Sequence, residues 1–216
     1  MSADVETENL DKAISDYTEA IRLNPNDAEA YFNRGEAYQC TRDYDKAMSD
    51  YNEAIRLNPN YEDAYFSRGN AYLKKRDYDK AISDYTEAIR LNPNFAEVYG
   101  NRGIAYGRKG DYDKAISDDI ESVRLNPNSA KAYYNRGCTY SDKEDYDKAI
   151  SDYNEAIRLN PNYASAYNNR GVAYREKGDY DRAITDYESA LQINPNHFKA
   201  KENLDKLKSL LKETKK

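Results

Sequence analysis

The sequence has no apolar run near the roughly 20 residues needed to cross a bilayer. It also has no cationic excess, with Lys+Arg 33 against Asp+Glu 39 and a net charge of −6. The first lack excludes a membrane-spanning helix. The second argues against a general affinity for nucleic-acid phosphates, which requires a basic face. Met1 to Leu10 has neither the basic start nor the apolar middle of a signal peptide, so a cytoplasmic protein is expected. Histidine occurs once, as His197. With no CxxC, HExxH or glycine-rich phosphate loop, nothing assembles a nucleophile, a base and an orienter. No enzyme and no cofactor or metal site is expected.

Proline is scarce as well, and its placement organises the chain. All 6 prolines sit in Asn-Pro-Asn triplets, at Pro25, Pro59, Pro93, Pro127, Pro161 and Pro195, a strict period of 34 residues. Near-copies of the stretch from Tyr44 to Asn60 begin at Leu10, Tyr44, Tyr78, Tyr112, Tyr146 and Tyr180. Such a period marks a helical solenoid, which is built from stacked modules instead of one central core. Cys40 and Cys138 lie almost three periods apart, a separation that puts them beyond disulfide reach in a stacked array.

With Ala28 as position 1, positions 4, 8 and 11 hold Tyr31, Gly35 and Tyr38, which line one face of a first helix. Tyr44, Ala47, Met48, Tyr51, Ala54, Ile55 and Leu57 form a wider apolar stripe on a second helix. Asp43 precedes that helix as an N-cap, as do Asp77, Asp111, Asp145 and Asp179 in the other units. Asn58-Pro59 ends it, because the residue before proline leaves helical geometry and proline cannot donate the next hydrogen bond.

Tyr31, Gly35, Tyr38, Ala47, Tyr51, Ala54 and Pro59 fall on the signature positions of the tetratricopeptide repeat family, and the chain resembles that family over nearly its whole length. The resemblance implies an all-α, right-handed superhelical solenoid of antiparallel helix pairs. Residues 1–27 form a tail and half-repeat helix, five repeats span 28–61, 62–95, 96–129, 130–163 and 164–197, and residues 198–216 form a capping helix. In the leading helix the face of Leu10, Ile14 and Tyr17 lacks its usual partner and offers a surface for self-association. Phe198, Ala200, Leu204, Leu207, Leu210 and Leu211 give the closing helix its apolar side.

Two departures stand out. Position 7, commonly leucine in the family, is Arg34, Arg68, Arg102, Arg136 and Arg170. Each shares a face with small residues and must meet a neighbouring helix, where a buried charge needs a partner. The equally regular Asp50, Asp84, Asp118, Asp152 and Asp186 predict an Arg–Asp ladder. In the third unit, Asp119 and Ser122 replace the usual tyrosine and alanine. Asp119 either weakens the packing or receives Arg102 or another basic group.

Function is expected where the surface varies while the framework repeats. Of 23 tyrosines, 20 hold framework positions, so the aromatic content is mostly core. Positions 2, 5, 9 and 12 of the first helix line the family's concave peptide groove. By resemblance, that face assigns Phe32, Glu36, Phe66, Asn70, Leu73, Ile104, Lys131, Tyr134 and Arg175 to a peptide-binding site, to which Asn101 and Asn135 at position 6 are added from the family's carboxylate clamp. Glu29, Glu36, Asp63 and Glu97 make the first three repeats acidic, suiting a basic and apolar segment. Lys131 and Arg175 suit an acidic residue or carboxyl end in the last two. Gly100 and Gly107 either hollow a pocket or relieve crowding.

The family's clamp for a C-terminal carboxylate, laid on the second to fourth repeats, meets Phe66, Asn70, Asn101, Lys131 and Asn135. Only Asn70, Asn101 and Lys131 match, and the missing cations are those that would hold the carboxylate. The expected function is a non-catalytic scaffold that binds a protein or peptide partner. The alternative is a structural spacer or self-assembling repeat array without a specific ligand.

Overall fold

The computed structural model describes residues 3–213. Among these are twelve α-helices and no strand. They are α1 (Ala3–Leu23), α2 (Ala28–Cys40), α3 (Tyr44–Leu57), α4 (Glu62–Lys74), α5 (Tyr78–Leu91), α6 (Ala96–Arg108), α7 (Tyr112–Leu125), α8 (Ala130–Asp142), α9 (Tyr146–Leu159), α10 (Ala164–Glu176), α11 (Tyr180–Ile193) and α12 (Phe198–Glu213). They form two compact units, one ending at Ala105 and the other beginning at Tyr106. In the first, α1, α2, α3, α4 and α5 each pack on the next; in the second, α7 to α12 do the same. The fold is an all-α array of antiparallel helix pairs. Helix α1 starts at Ala3, well before the Leu10 expected from the repeat pattern.

Local chemistry explains the turns. Between the helices of a pair one residue takes a left-handed conformation, at Arg42 (φ 64°), Arg76 (62°), Gly110 (83°), Glu144 (64°) and Gly178 (81°). The next N–H then reaches back, as Asp43 N–H does to the Tyr38 carbonyl at 2.9 Å, closing the first helix. Asp43, Asp77, Asp145 and Asp179 cap the second helix by accepting a backbone N–H. Asp111 stands at the same place without that bond and accepts from Lys114 Nζ at 3.2 Å instead. In five of the six Asn-Pro-Asn triplets the first asparagine accepts the N–H of the second, as Asn58 Oδ1 does from Asn60 at 3.1 Å. That Asx turn directs the chain into the next helix.

The core repeats with the sequence. Tyr51, Tyr85, Tyr153 and Tyr187 are buried, each lying flat on a glycine of its partner helix. A Cβ on Gly137 would stand 2.8 Å from the Tyr153 ring, which is why no larger residue fits there. Beside each ring runs the predicted ladder. Arg34, Arg68, Arg136 and Arg170 each donate Nε and Nη2 to Asp50, Asp84, Asp152 and Asp186, at 2.6–2.8 Å. The rung lies within each repeat, and these hydrogen bonds raise the guanidinium pKa of Arg34 and Arg136.

The remaining Nη1 of the arginine reaches the preceding repeat. Arg34 donates to Thr18, Arg68 to Asn52, Arg102 to Thr86 and Arg170 to Asn154, at 2.6–3.1 Å. The guanidinium also lies near the tyrosine three residues earlier, 5.4 Å from the ring centre in the Arg136–Tyr133 pair. One side chain thus ties three helices together. This is the physical content of the uniform arginine.

Asp119 is 1% exposed and accepts from the Thr139 hydroxyl at 2.7 Å. Its hydrogen-bonding partner is a hydroxyl, on the one first-helix position where threonine replaces alanine. Burial pushes the Asp119 carboxyl up to about 7, and Asp118 and Asp152 push the same way. At the start of the chain Leu10, Ile14 and Tyr17 are half-buried and Leu23 is 70% exposed. At the end Leu204 and Leu207 of α12 close over Ala183 and Tyr187.

Candidate peptide-binding face

In the first unit the aromatic residues assigned to the face form its floor. Phe32 lies 4.9 Å from Tyr61 and 6.0 Å from Tyr51, ring centre to ring centre. Phe66 lies likewise 4.9 Å from Phe95 and 6.2 Å from Tyr85. Both phenylalanines are half-buried. The tyrosine hydroxyls turn up through this floor: Tyr51 donates to Glu36, and Tyr85 donates to Asn70 Oδ1 at 2.8 Å. Asn101 Nδ2 donates to the same Asn70 oxygen at 2.8 Å and joins α4 to α6. Leu73 packs on the Tyr85 core, and Ile104 is half-buried.

Carboxylates rim this floor, and Glu29 and Asp63 are exposed. Burial, together with Glu62 and Glu36, pushes the Asp63 carboxyl up. Burial and then Glu29, Asp63, Glu62 and Asp27 raise the Tyr61 hydroxyl to about 12. The surface is electrostatically negative, with ring faces between the charges.

In the second unit Tyr134 repeats the aromatic floor, 4.8 Å from Tyr163 and 6.0 Å from Tyr153. Lys131 is exposed, Asn135 is half-buried with its carbonyl accepting from Thr139, and Arg175 pairs with Glu176. Gly107 has Ala115 Cβ, at 4.0 Å, as the nearest atom to an added Cβ, so there is room at that position.

A feature that the sequence reading reached only through Tyr134 is a cavity of ≈ 500 Å³ whose lining also includes Asn169, Val172, Arg108, His197 and Lys199. Its floor is a chain of amides. Asn203 Nδ2 donates to Asn168 Oδ1, Asn168 Nδ2 to Asn169 Oδ1, and Asn169 Nδ2 to the Tyr134 hydroxyl at 3.1 Å and Cys138 Sγ at 3.3 Å. The signal for it was present as two replacements, Asn168 and His197, at positions that are aromatic in three of the other four repeats. Among the described residues no group of three or more His, Cys, Asp or Glu side chains is placed to hold a metal ion. Cys40 and Cys138 are free thiols, and no described helix is long and apolar enough to cross a membrane.

Family models described as tetratricopeptide repeat match residues 28–61 and 62–95, 94–162, and 134–198, and one described as TPR repeat matches residues 2–40. The chain belongs to the tetratricopeptide repeat family. Curated protein sequences give no match. Among solved structures, this tetratricopeptide array is similar to YrrB, described as a TPR protein with an unusual peptide-binding site. The identity is 25% and the TM-score 0.69, over 86% of this chain and 96% of that one. It is similar to MamA at 27% identity and TM-score 0.69, over 80% and 94%. PilF of Pseudomonas aeruginosa, at 18% identity and TM-score 0.77 over 92% and 90%, shares the fold. Family and neighbours alike support a protein-interaction scaffold.

Proposed function

We propose that this tetratricopeptide protein is a non-catalytic adaptor that binds a peptide segment of a partner along the first-helix faces. Phe32, Glu36, Phe66, Asn70, Leu73, Asn101 and Ile104 form the site in the first unit, and Lys131, Tyr134, Asn135 and Arg175 in the second. The observation that carries the reading is the acidic, aromatic-floored face of α2 and α4, where Glu29 and Asp63 stand exposed beside Phe32 and Phe66, and where burial and then neighbouring carboxylates raise Asp63 and Tyr61. A basic side chain of a partner, laid on Phe32 or Phe66 beside Glu29 and Asp63, would relieve that repulsion. Two of the three residues that match the carboxylate clamp, Asn70 and Asn101, are bonded to one another. That favours a structural duty for them over capture of a chain end.

A peptide library with free and amidated C-termini, screened against the wild type and against Phe66→Ala and Lys131→Glu, tests the reading. Selected peptides should be rich in Lys or Arg and should weaken in Phe66→Ala. Absence of any selected sequence would overturn it. A second reading, self-association through α1, is favoured by Leu10, Ile14 and Tyr17, an apolar face of that helix that is only half-buried. It predicts a mass that rises with concentration and falls back in Ile14→Asp.

A further inference from the structure

Three of the repeats floor their face with an aromatic trio: Phe32–Tyr51–Tyr61, Phe66–Tyr85–Phe95 and Tyr134–Tyr153–Tyr163. In the fifth repeat the equivalent residues are Asn168, Tyr187 and His197. Apolar cover has given way to hydrogen-bonding groups, and two of the three, Asn168 and His197, line the ≈ 500 Å³ cavity of the second unit.

His197 Nδ1 accepts the Ala200 N–H at 3.2 Å and so caps α12. An imidazole that accepts at Nδ1 carries its proton on Nε2, leaving that N–H free to donate to a ligand. Two cations, Arg108 and Lys199, line the same space, and neither makes an ion pair among the described residues. Most other cations of the described residues are paired, from Lys12–Asp16 to Lys208–Glu188. One carboxylate opposes them. Burial pushes Asp142 up, and Arg108 draws it back down. The balance is two cations and a neutral donor against one acid. Beneath them Asn168 is only 3% exposed and is held by Asn203 and Asn169, so the floor is pre-organised.

We propose that this cavity receives an oxyanion-bearing side chain, a carboxylate or a phosphate monoester, from the interior of a bound peptide. Lys199 and Arg108 supply the charge, the His197 Nε2–H supplies a directed donor, and the bonded Asn168–Asn169 amides hold the floor in place. The volume suits a side chain with its flanking backbone. The inference deepens the peptide-binding reading and rests on it for the identity of the ligand as a peptide. It differs in locating a specificity pocket at α8, α10 and the start of α12.

The test uses the full chain, ¹⁵N-labelled, titrated with N-acetyl-O-phosphoserine N-methylamide, N-acetyl-glutamate N-methylamide and N-acetyl-glutamine N-methylamide. These probes have no free chain end. Saturable shifts of the Asn168 and Asn169 side-chain amides and the His197 ring are expected with the first two and not with the third. Lys199→Glu should weaken them about tenfold or more, and His197→Asn, which retains a capping acceptor, should weaken them without unfolding α12. The stronger of the two anionic probes identifies the source of the oxyanion. No saturable shift, equal shifts from the glutamine probe, or indifference to Lys199→Glu would each overturn the inference. If the probes bind while the peptide library selects nothing, the cavity stands and the peptide reading falls. Selected peptides without any probe response give the converse.

Discussion

Helices α7 and α9 share one register, yet α9 carries Asp152-Tyr153-Asn154 where α7 carries Asp118-Asp119-Ile120. Each of the three α9 residues engages a different neighbour. Asp152 accepts both arms of Arg136, Tyr153 lies on Gly137, and Asn154 accepts Nη1 of Arg170 at 2.6 Å. In α7 the ring is replaced by a buried carboxyl, and the outer acceptor by an isoleucine that is 46% exposed. The layer packed on α7 is looser: Ala132 is 6% and Thr139 8% exposed, against 0% for Ala166 and Ala173, their equivalents on α9. The repeat therefore tolerates loss of its largest core ring. It keeps a partner, the Thr139 hydroxyl, for the polar group that replaces it.

Breaking α9 should do the most harm. Asp152→Ala leaves the Arg136 guanidinium, whose side chain is 18% exposed, without its counter-charge. The expected cost is about 3 kcal/mol, read as a lower denaturation midpoint with hydrogen exchange rising first in α8 and α9. Adding Arg136→Met should restore most of that loss. Failure of the second substitution to do so would mean that Asp152 acts through something other than the rung.

Repairing α7 comes next. The Asp119 carboxyl is raised from 3.8 to about 7 by burial, so between those values the folded chain holds a proton that the unfolded chain has released. Stability from this group is present below the unfolded value and is lost as pH rises towards 7. The loss is on the order of 4 kcal/mol. Asp119→Tyr should stabilise the protein most at pH 8, and its advantage should shrink steadily as the pH is lowered towards 4. A difference that does not change with pH would place the Asp119 charge outside the energetics of this layer.

How far this was legible beforehand depends on whether a residue acts within the period or against it. The helix pairs, the proline stops and the arginine ladder repeat five times, and a repeated pattern exposes its own geometry: Arg34 and Asp50 had to meet because both recur where a lone charge would be costly. Asp119 was visible as an exception, but its partner was not sought among hydroxyls. Thr139 is an exception at another position of another helix, and only the packing shows that the two meet. The same holds for the oxyanion cavity, where Asn168 and His197 are single replacements that gain meaning once they line one space. The early start of α1 escaped because it lies outside the period altogether.

Glycine substitutions sharpen the contrast at smaller cost. Gly137→Ala sets a methyl group 2.8 Å from the Tyr153 ring and should destabilise by about 1–3 kcal/mol. Gly107→Ala, with its nearest neighbour at 4.0 Å, should stabilise α6 by about 0.5–1 kcal/mol through backbone entropy alone. Thermal unfolding of the two variants side by side separates steric from entropic roles. If both lose stability equally, the flat seat of Tyr153 is not what fixes Gly137.

The smallest effect concerns the outer position of α7. Arg34, Arg68, Arg102 and Arg170 each find a threonine or asparagine oxygen on the preceding repeat, whereas Ile120 offers Arg136 none. Ile120→Asn would supply the missing acceptor, and because the site is exposed the gain should be about 1 kcal/mol or less. A rise of a few degrees in Tm is too small to interpret alone, since removing an exposed isoleucine also changes how the surface meets water. The same substitution made on an Arg136→Lys background resolves this, because lysine lacks the second arm that spans to α7 while its partner Asp152 stays engaged. If the gain vanishes there, it came from the inter-repeat bond. If it persists, the arginine ladder holds the second unit together without needing its third contact.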